Sequence, residues 1–224
     1  MKMKNIAAVA MAGCMAASLA ACGGSASSAA SSAASTEAAT SEAAEATGTS
    51  ANGFTVQLGP NPETLDPALN SAIDGANTII TTFEPLLLID ENNEVVPGQA
   101  DLPEVSEDGL TWTFTMKDGL KWSDGSDLTA KDFEYSFKRL ACPDTAAPYA
   151  ETVVGMIDGY EDAIGNPGAD GNTTTDPDWD ALNVHASEDG KTLTVQLAYP
   201  CSYFDKLCAF AAMSPVQQAT VEAN

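Results

Sequence analysis

Positive charge is scarce in this 224-residue chain: nine Lys and Arg stand against 32 Asp and Glu, for a formal charge of −23. Such a surface repels nucleic acid and anionic lipid headgroups, so neither is an expected partner. Acidity alone names no ligand, because solvated carboxylates are ordinary on a protein surface. Arg139 and His185 are the single arginine and the single histidine, which leaves little for phosphate clamps or imidazole metal sites. His185 falls in the strand-like Asn183-Val184-His185-Ala186, where it faces solvent or packs. The sequence has no G-x-S-x-G elbow, Walker loop, G-x-G-x-x-G or H-E-x-x-H. No nucleophile stands beside a base, so the chain reads as a non-enzyme with no catalytic residue, metal or cofactor. The apolar run from Ile6 to Ala21 is shorter than the ~20 residues that cross a bilayer, and no later segment is longer or more apolar.

Cysteine is also sparse, with five residues, but one has a distinctive setting. Basic Met1-Lys2-Met3-Lys4 precedes the Ala-rich run, and Leu19-Ala20-Ala21 stands directly before Cys22, so residues 1–21 read as a secretion signal. The pattern resembles the lipobox of bacterial lipoproteins. The resemblance implies a diacylglycerol on the Cys22 sulfur and a second chain on its freed amine, holding the protein on the extracytoplasmic face of the bacterial membrane. Two chains make such an anchor stable where one is marginal. Cys14 is a poorer match, since Met11 stands where Cys22 has Leu19. A plain secreted protein cut after an Ala-x-Ala site is the competing reading. Loss of Lys2 and Lys4 with the signal leaves the rest more acidic still. Cys142, Cys201 and Cys208 remain, an odd number; Cys201 and Cys208 either bridge across a turn or stay as free buried thiols, and no disulfide framework is expected.

Residues 22–51 then reduce to little more than Ser, Ala, Thr and Glu, with no aromatic or large aliphatic side chain, and read as a disordered tether behind the lipidated cysteine. Residues 52–224 are the globular part, 173 positions and enough for a sizeable core.

Within that part, Phe54 to Leu58 alternates as a strand before Gly59-Pro60-Asn61-Pro62. Asn77 to Phe83 suits a helix with Ile79, Ile80 and Phe83 on one side, ended by Pro85. Leu86 to Ile89 and Val95-Val96 read as strands around the polar Asp90-Glu91-Asn92-Asn93 turn. After Asp108-Gly109, Leu110, Trp112, Phe114 and Met116 alternate with Thr111, Thr113, Thr115 and Lys117, the half-buried strand pattern. Asp118-Gly119 and Asp124-Gly125 predict that this strand continues into a small antiparallel meander. Thr129 and Asp132 form a capping box for a helix whose Phe133, Phe137 and Leu140 face the core, ended at Cys142-Pro143. Ser187-Glu188-Asp189-Gly190 repeats Ser106-Glu107-Asp108-Gly109, with Leu193, Val195 and Leu197 following in register: one turn chemistry used twice.

Asp176, Asp178 and Asp180 imitate the start of a calcium loop within the acidic stretch from Asp170 to Asp180. However, Pro177 stiffens it, Ala181 replaces the required Gly, and Ser187 stands where a bidentate Glu is needed, so a solvated acidic loop is the plainer reading. Trp112 shares its strand face with Leu110 and Phe114 and is assigned to packing.

The order of motifs then becomes specific. Glu63-Thr64-Leu65-Asp66-Pro67, Phe83-Glu84-Pro85-Leu86, Val96-Pro97-Gly98-Gln99-Ala100, Ser106 to Phe114, Gly119-Leu120-Lys121-Trp122-Ser123-Asp124-Gly125 and Leu128 to Phe133 follow one another as in a single family. From Phe54 to about Glu222 the chain resembles the family 5 extracellular solute-binding proteins, the oligopeptide and dipeptide receptors of ABC importers. Arg139 to Ala150 is most similar to the oligopeptide branch, and Tyr203 to Leu207 with Met213 to Val216 is similar to the segment that returns to the first lobe. The resemblance implies an α/β, periplasmic-binding-protein-like fold of type II, cluster C: a mixed-sheet lobe with an inserted small antiparallel β-rich domain. Relatives are more than twice as long, so the chain is expected to be the N-terminal portion of such a receptor, without the second lobe, and to bind peptide weakly or not at all.

Carried over by position, the resemblance implies that Ser71, Ala72 and Ile73 offer backbone groups to an extended oligopeptide and that Tyr149 lines the cleft. The family often has Glu-Gly-Val where Ser71-Ala72-Ile73 stands, so a charge is lost there. The implied function is a lipid-anchored receptor that captures oligopeptides by main-chain hydrogen bonds and passes them to an ABC permease in the membrane. The alternative is a surface structural or adhesive lipoprotein that keeps only the receptor's first part.

Overall fold

The same Ser-Glu-Asp-Gly turn is used twice to build the centre of the fold. In a computed structural model that describes Gln57, residues 59–165 and residues 176–223, strands β3 (Glu104–Val105) and β4 (Thr111–Thr115) are joined through Ser106-Glu107-Asp108-Gly109. Strands β5 (Val184–Ala186) and β6 (Thr192–Gln196) are joined through Ser187-Glu188-Asp189-Gly190. In the first turn Asp108 Oδ1 accepts from the Ser106 hydroxyl at 2.6 Å, and Ser106 Oγ accepts from the Thr111 amide at 2.8 Å. In the second, Asp189 accepts from Ser187 at 2.6 Å and Ser187 from the Thr192 amide at 3.0 Å. Gly109 and Gly190 have φ of 72° and 70°, a left-handed backbone that other residues adopt at a cost.

The two hairpins lie edge to edge, giving one antiparallel sheet in the order β3-β4-β6-β5. Thr113 pairs with Thr194, and the register runs symmetrically from Thr111↔Gln196 to Thr115↔Thr192, so the hairpins are related by an approximate two-fold axis through that threonine pair. The alternation holds: Trp112, Phe114, Met116, Leu193, Val195 and Leu197 are buried. The predicted meander does not form as read, because β4 takes its neighbours from β3 and from β6, some eighty residues on. Leu120 to Trp122 folds back only on Ser126 to Leu128, around the Asp124-Gly125 turn. A long strand with one apolar face pairs where that face is covered, and the nearest turn signal does not decide the partner.

The preceding segments supply a short helix and a hairpin. Helix α1 (Ile73–Thr82) begins four residues before the predicted start, buries Ile79 and leaves Ile80 at the surface. The hairpin of β1 (Leu87–Ile89) and β2 (Val95–Pro97) closes on Asp90, whose Oδ1 accepts from the amides of Asn92 and Glu94. Helix α2 (Ala130–Ala141) has the predicted capping box and covers β5 and β6 with Phe133, Phe137 and Leu140, all buried. Glu134 on α2 accepts the Ala186 amide of β5 at 2.9 Å, and buried Ser136 accepts the Val216 amide at 2.8 Å, so the helix also satisfies polar groups of its neighbours.

Short helices α3 (Ala150–Val154), α4 (Tyr160–Ile164), α5 (Phe204–Leu207) and α6 (Gln218–Glu222) complete the described part, with Phe204 edge-on to Trp112 at 5.3 Å. Cys201 and Cys208 are both buried and unbridged. No described helix is long and apolar enough to cross a membrane. The described residues fall in the compact unit Thr55–Asn224. The signal, Cys22, the tether and the predicted strand from Phe54 to Leu58 lie outside the described residues, apart from Gln57.

Candidate functional site

The loop before α1 is held by a ladder of short-range hydrogen bonds that starts at Thr64. Its hydroxyl accepts the Asp66 amide at 3.1 Å, Asp66 Oδ1 accepts the Ala68 amide at 3.0 Å, and the Asp66 carbonyl accepts from Leu69 and Asn70. Arg139, near the end of α2, donates from both Nη atoms to the Asp66 carboxylate, at 2.9 and 2.6 Å. The Asp66 hydrogen bond, opposed by burial, raises the Arg139 pKa above its ordinary value. This bidentate pair fixes both position and orientation, and it fastens the loop to the main helix.

Asn70 then sets the backbone of the predicted binding residues. Its Nδ2 donates to the Ala72 carbonyl at 3.0 Å and its Oδ1 accepts the Ala72 amide at 3.4 Å. The Ala72 carbonyl also accepts from Ala76, so both of its lone pairs are used and Ala72 has no main-chain group left for a ligand. Gly75 makes this possible: a Cβ there would stand 2.0 Å from Asn70 Oδ1.

Ser71 and Ile73 differ from Ala72. Ala72 is extended, with φ −114° and ψ 149°, so its neighbours' main-chain groups point the opposite way. Ser71 has no hydrogen-bond partner among the described residues, and the Ile73 amide is one of the unpaired donors of a helix start. Both residues are exposed, Ile73 by 81%. Tyr149 is half-buried beside α3, and its ring meets Phe210 edge-on at 5.3 Å. Phe210 leads into the turn Ala211–Met213, which packs on α1. Tyr149 is thus connected to α1 by way of Phe210 and the turn after it, and no hydrogen bond joins it to the Ser71–Ile73 loop. Sequence pattern alone assigns no site role to Asn70, Gly75, Arg139 or Phe210. An Asn two residues before a helix-capping position, the Asx-turn signal, marks the first of them.

Asp178 accepts the Asp180 amide at 3.1 Å to start a helical turn, and Asp180 pairs with Lys138 at 3.3 Å, so both have structural partners. No group of three acidic, His or Cys side chains able to hold a metal occurs among the described residues. His185 is exposed on β5, with Nε2 3.3 Å from Asn183 Oδ1.

Residues 94–224 match the model of the bacterial extracellular solute-binding proteins, family 5, middle. The oligopeptide-binding protein OppA of Bacillus subtilis is 36% identical over 172 residues, which is 76% of this chain and 29% of that protein. The periplasmic murein peptide-binding protein MppA of Escherichia coli is 38% identical over 164 residues, 73% of this chain and 28% of its own. The chain therefore spans less than a third of the length of these relatives. Among solved structures, Escherichia coli MppA superposes with a TM-score of 0.64 at 38% identity, over 73% of this chain and 30% of that one. Haemophilus influenzae OppA in complex with the peptide RPPGFSPFR gives 0.64 at 30% identity, over 74% of this chain and 31% of that one. The mixed α/β fold thus matches part of the type II periplasmic binding proteins. On these matches the chain belongs to the family 5 bacterial extracellular solute-binding proteins.

Proposed function

We propose that this chain forms part of the peptide-contacting wall of an ABC-importer receptor, and that Ser71 and Ile73 pair through their main chains with an extended oligopeptide. The observation that carries this is the exposed, extended loop with unpartnered main-chain groups at alternate positions, braced from behind by Asn70, Asp66 and Arg139. Main-chain pairing suits a receptor for many sequences, because it is indifferent to side-chain identity. Tyr149, whose hydroxyl has no partner among the described residues, is the neighbouring ring that borders the ligand, while Ala72 secures the loop. We place the protein outside the cell, anchored by lipid on Cys22, with residues 22–51 as its tether and residues 52–224 as the receptor part. Closure of lobes about a hinge then delivers ligand to a membrane permease.

Titration of the ¹⁵N-labelled chain with trialanine tests the wall. The expected result is saturable shifts at the Ser71 and Ile73 amides; shifts confined to other regions would overturn it. Radiolabelled palmitate is expected to enter the wild-type protein and not the Cys22→Ser variant.

A further inference from the structure

A groove of about 380 Å³ runs along the solvent side of α2 and shares no lining residue with the Ser71–Ile73 loop. Its floor is Lys131, Glu134, Tyr135 and Lys138, at helical spacings of three and four and opposite the core stripe; Trp179, Asp180 and Gln218 form its sides. The Tyr135 and Trp179 rings meet edge-on at 6.0 Å and 71°. Trp179 also borders a second hollow of about 490 Å³, with Cys142, Pro143 and Pro177.

Part of this groove is fixed and part is unused. Glu134 is held by Lys138 at 2.8 Å and by the Ala186 amide, and Lys138 also reaches Asp180. The Tyr135 hydroxyl, the Lys131 ammonium and the Trp179 indole N–H have no hydrogen-bond partner among the described residues. In contrast, the Trp112 indole donates to the Gly109 carbonyl and the Trp122 indole to Asp132. Two lysines balance two carboxylates, so the groove is locally neutral on a strongly acidic protein. The main chain of α2 is internally bonded, so the groove offers no edge for an extended peptide. An aromatic wall, donors without a partner among the described residues and no net charge suit a polyhydroxylated, uncharged ligand.

We propose that this groove is a saccharide-binding site, taking one face of a neutral sugar ring against Trp179, with Tyr135, Lys131 and Asp180 on its hydroxyls. The second hollow beside Trp179 suits an oligosaccharide. This is independent of the peptide-wall reading.

Indole N–H resonances of the full chain, titrated separately with cellotriose and chitotriose, test it. The Trp179 signal is expected to shift saturably with at least one sugar while those of Trp112 and Trp122 stay in place. Tyr135→Ala is expected to weaken the effect about tenfold. The Trp112 and Trp122 signals report whether that variant remains folded, and Lys131→Met gives a second, surface variant with the same expected direction. No saturable shift up to about 20 mM of either sugar, a concentration set by the millimolar end of specific affinity, overturns the proposal. So does an unchanged affinity in both variants, or a Trp179 response to trilysine or triglutamate and to neither sugar.

Discussion

Gly75 sits inside a helix, where alanine is ordinarily the better residue by ~1 kcal/mol. Here the added Cβ would collide with Asn70 Oδ1 at 2.0 Å and also approach the Thr64 carbonyl at 3.1 Å. Displacing Asn70 costs its two bonds to Ala72, and overpacking of this kind costs ~1–3 kcal/mol, so the collision outweighs the helix gain. Gly75→Ala is therefore expected to lower stability in urea denaturation. In an Asn70→Ala background the same change should cost much less, since the main obstacle is gone; strict additivity in that cycle would show that the contact does not control the loop. The Asx-turn spacing marks Asn70, but the role of Gly75 is not legible from sequence, because its contact joins a helix turn to a loop and carries no periodic signal. As the single arginine, Arg139 has no partner that the sequence names. The fold places it instead on Asp66, where a half-buried carboxylate needs a bidentate partner.

At the scale of elements, local chemistry was readable where a side chain bonds its own neighbourhood. The Thr129 and Asp132 box, the Asp90 turn and the paired Ser-Glu-Asp-Gly turns all form as the sequence implies, since each is closed within six residues. The Asp124-Gly125 turn adds a long-range partner: Gln217, at the start of α6, donates to Asp124 at 2.9 Å and to Ser126 at 3.0 Å. The Gln217 bond, followed by those from Ser126, holds the Asp124 carboxyl down to about 2 from an ordinary 3.8. Because the folded-state value is depressed, this stabilisation is fully present above pH 3.8 and is lost as the pH falls through about 2. Gln217→Ala should move the Asp124 titration, followed by carboxyl NMR, up toward 3.8; an unmoved midpoint would show that Ser126 suffices.

For the whole molecule, the formal charge of −23 sets a self-repulsion that the few ion pairs do not offset. Lys121–Asp127 and Lys191–Asp118 are solvent-exposed pairs of the kind that contribute little, and salt weakens them. Raising NaCl from about 10 mM to about 150 mM shortens the screening length from ~30 Å to ~8 Å and damps the repulsion more than it weakens those pairs. The melting temperature followed by circular dichroism is expected to rise by about 2–5 °C. A fall would mean that the ion pairs dominate.

By itself the sequence determined the family, through an ordered series of motifs, and the strands and turns whose partners lie nearby in the chain. It also determined which face of β4, β6 and α2 is buried, since alternation and helical spacing are properties of a single segment. Only the tertiary structure decided that β4 pairs with β6 instead of its own meander, and that Arg139 clamps Asp66. Tertiary packing also decided that Tyr135 and Trp179 share a groove. The reason is the same in each case: these contacts join residues close in space and, for the sheet and the groove, more than forty positions apart in the chain. Burial and geometric fit select such partners, and no local pattern encodes them.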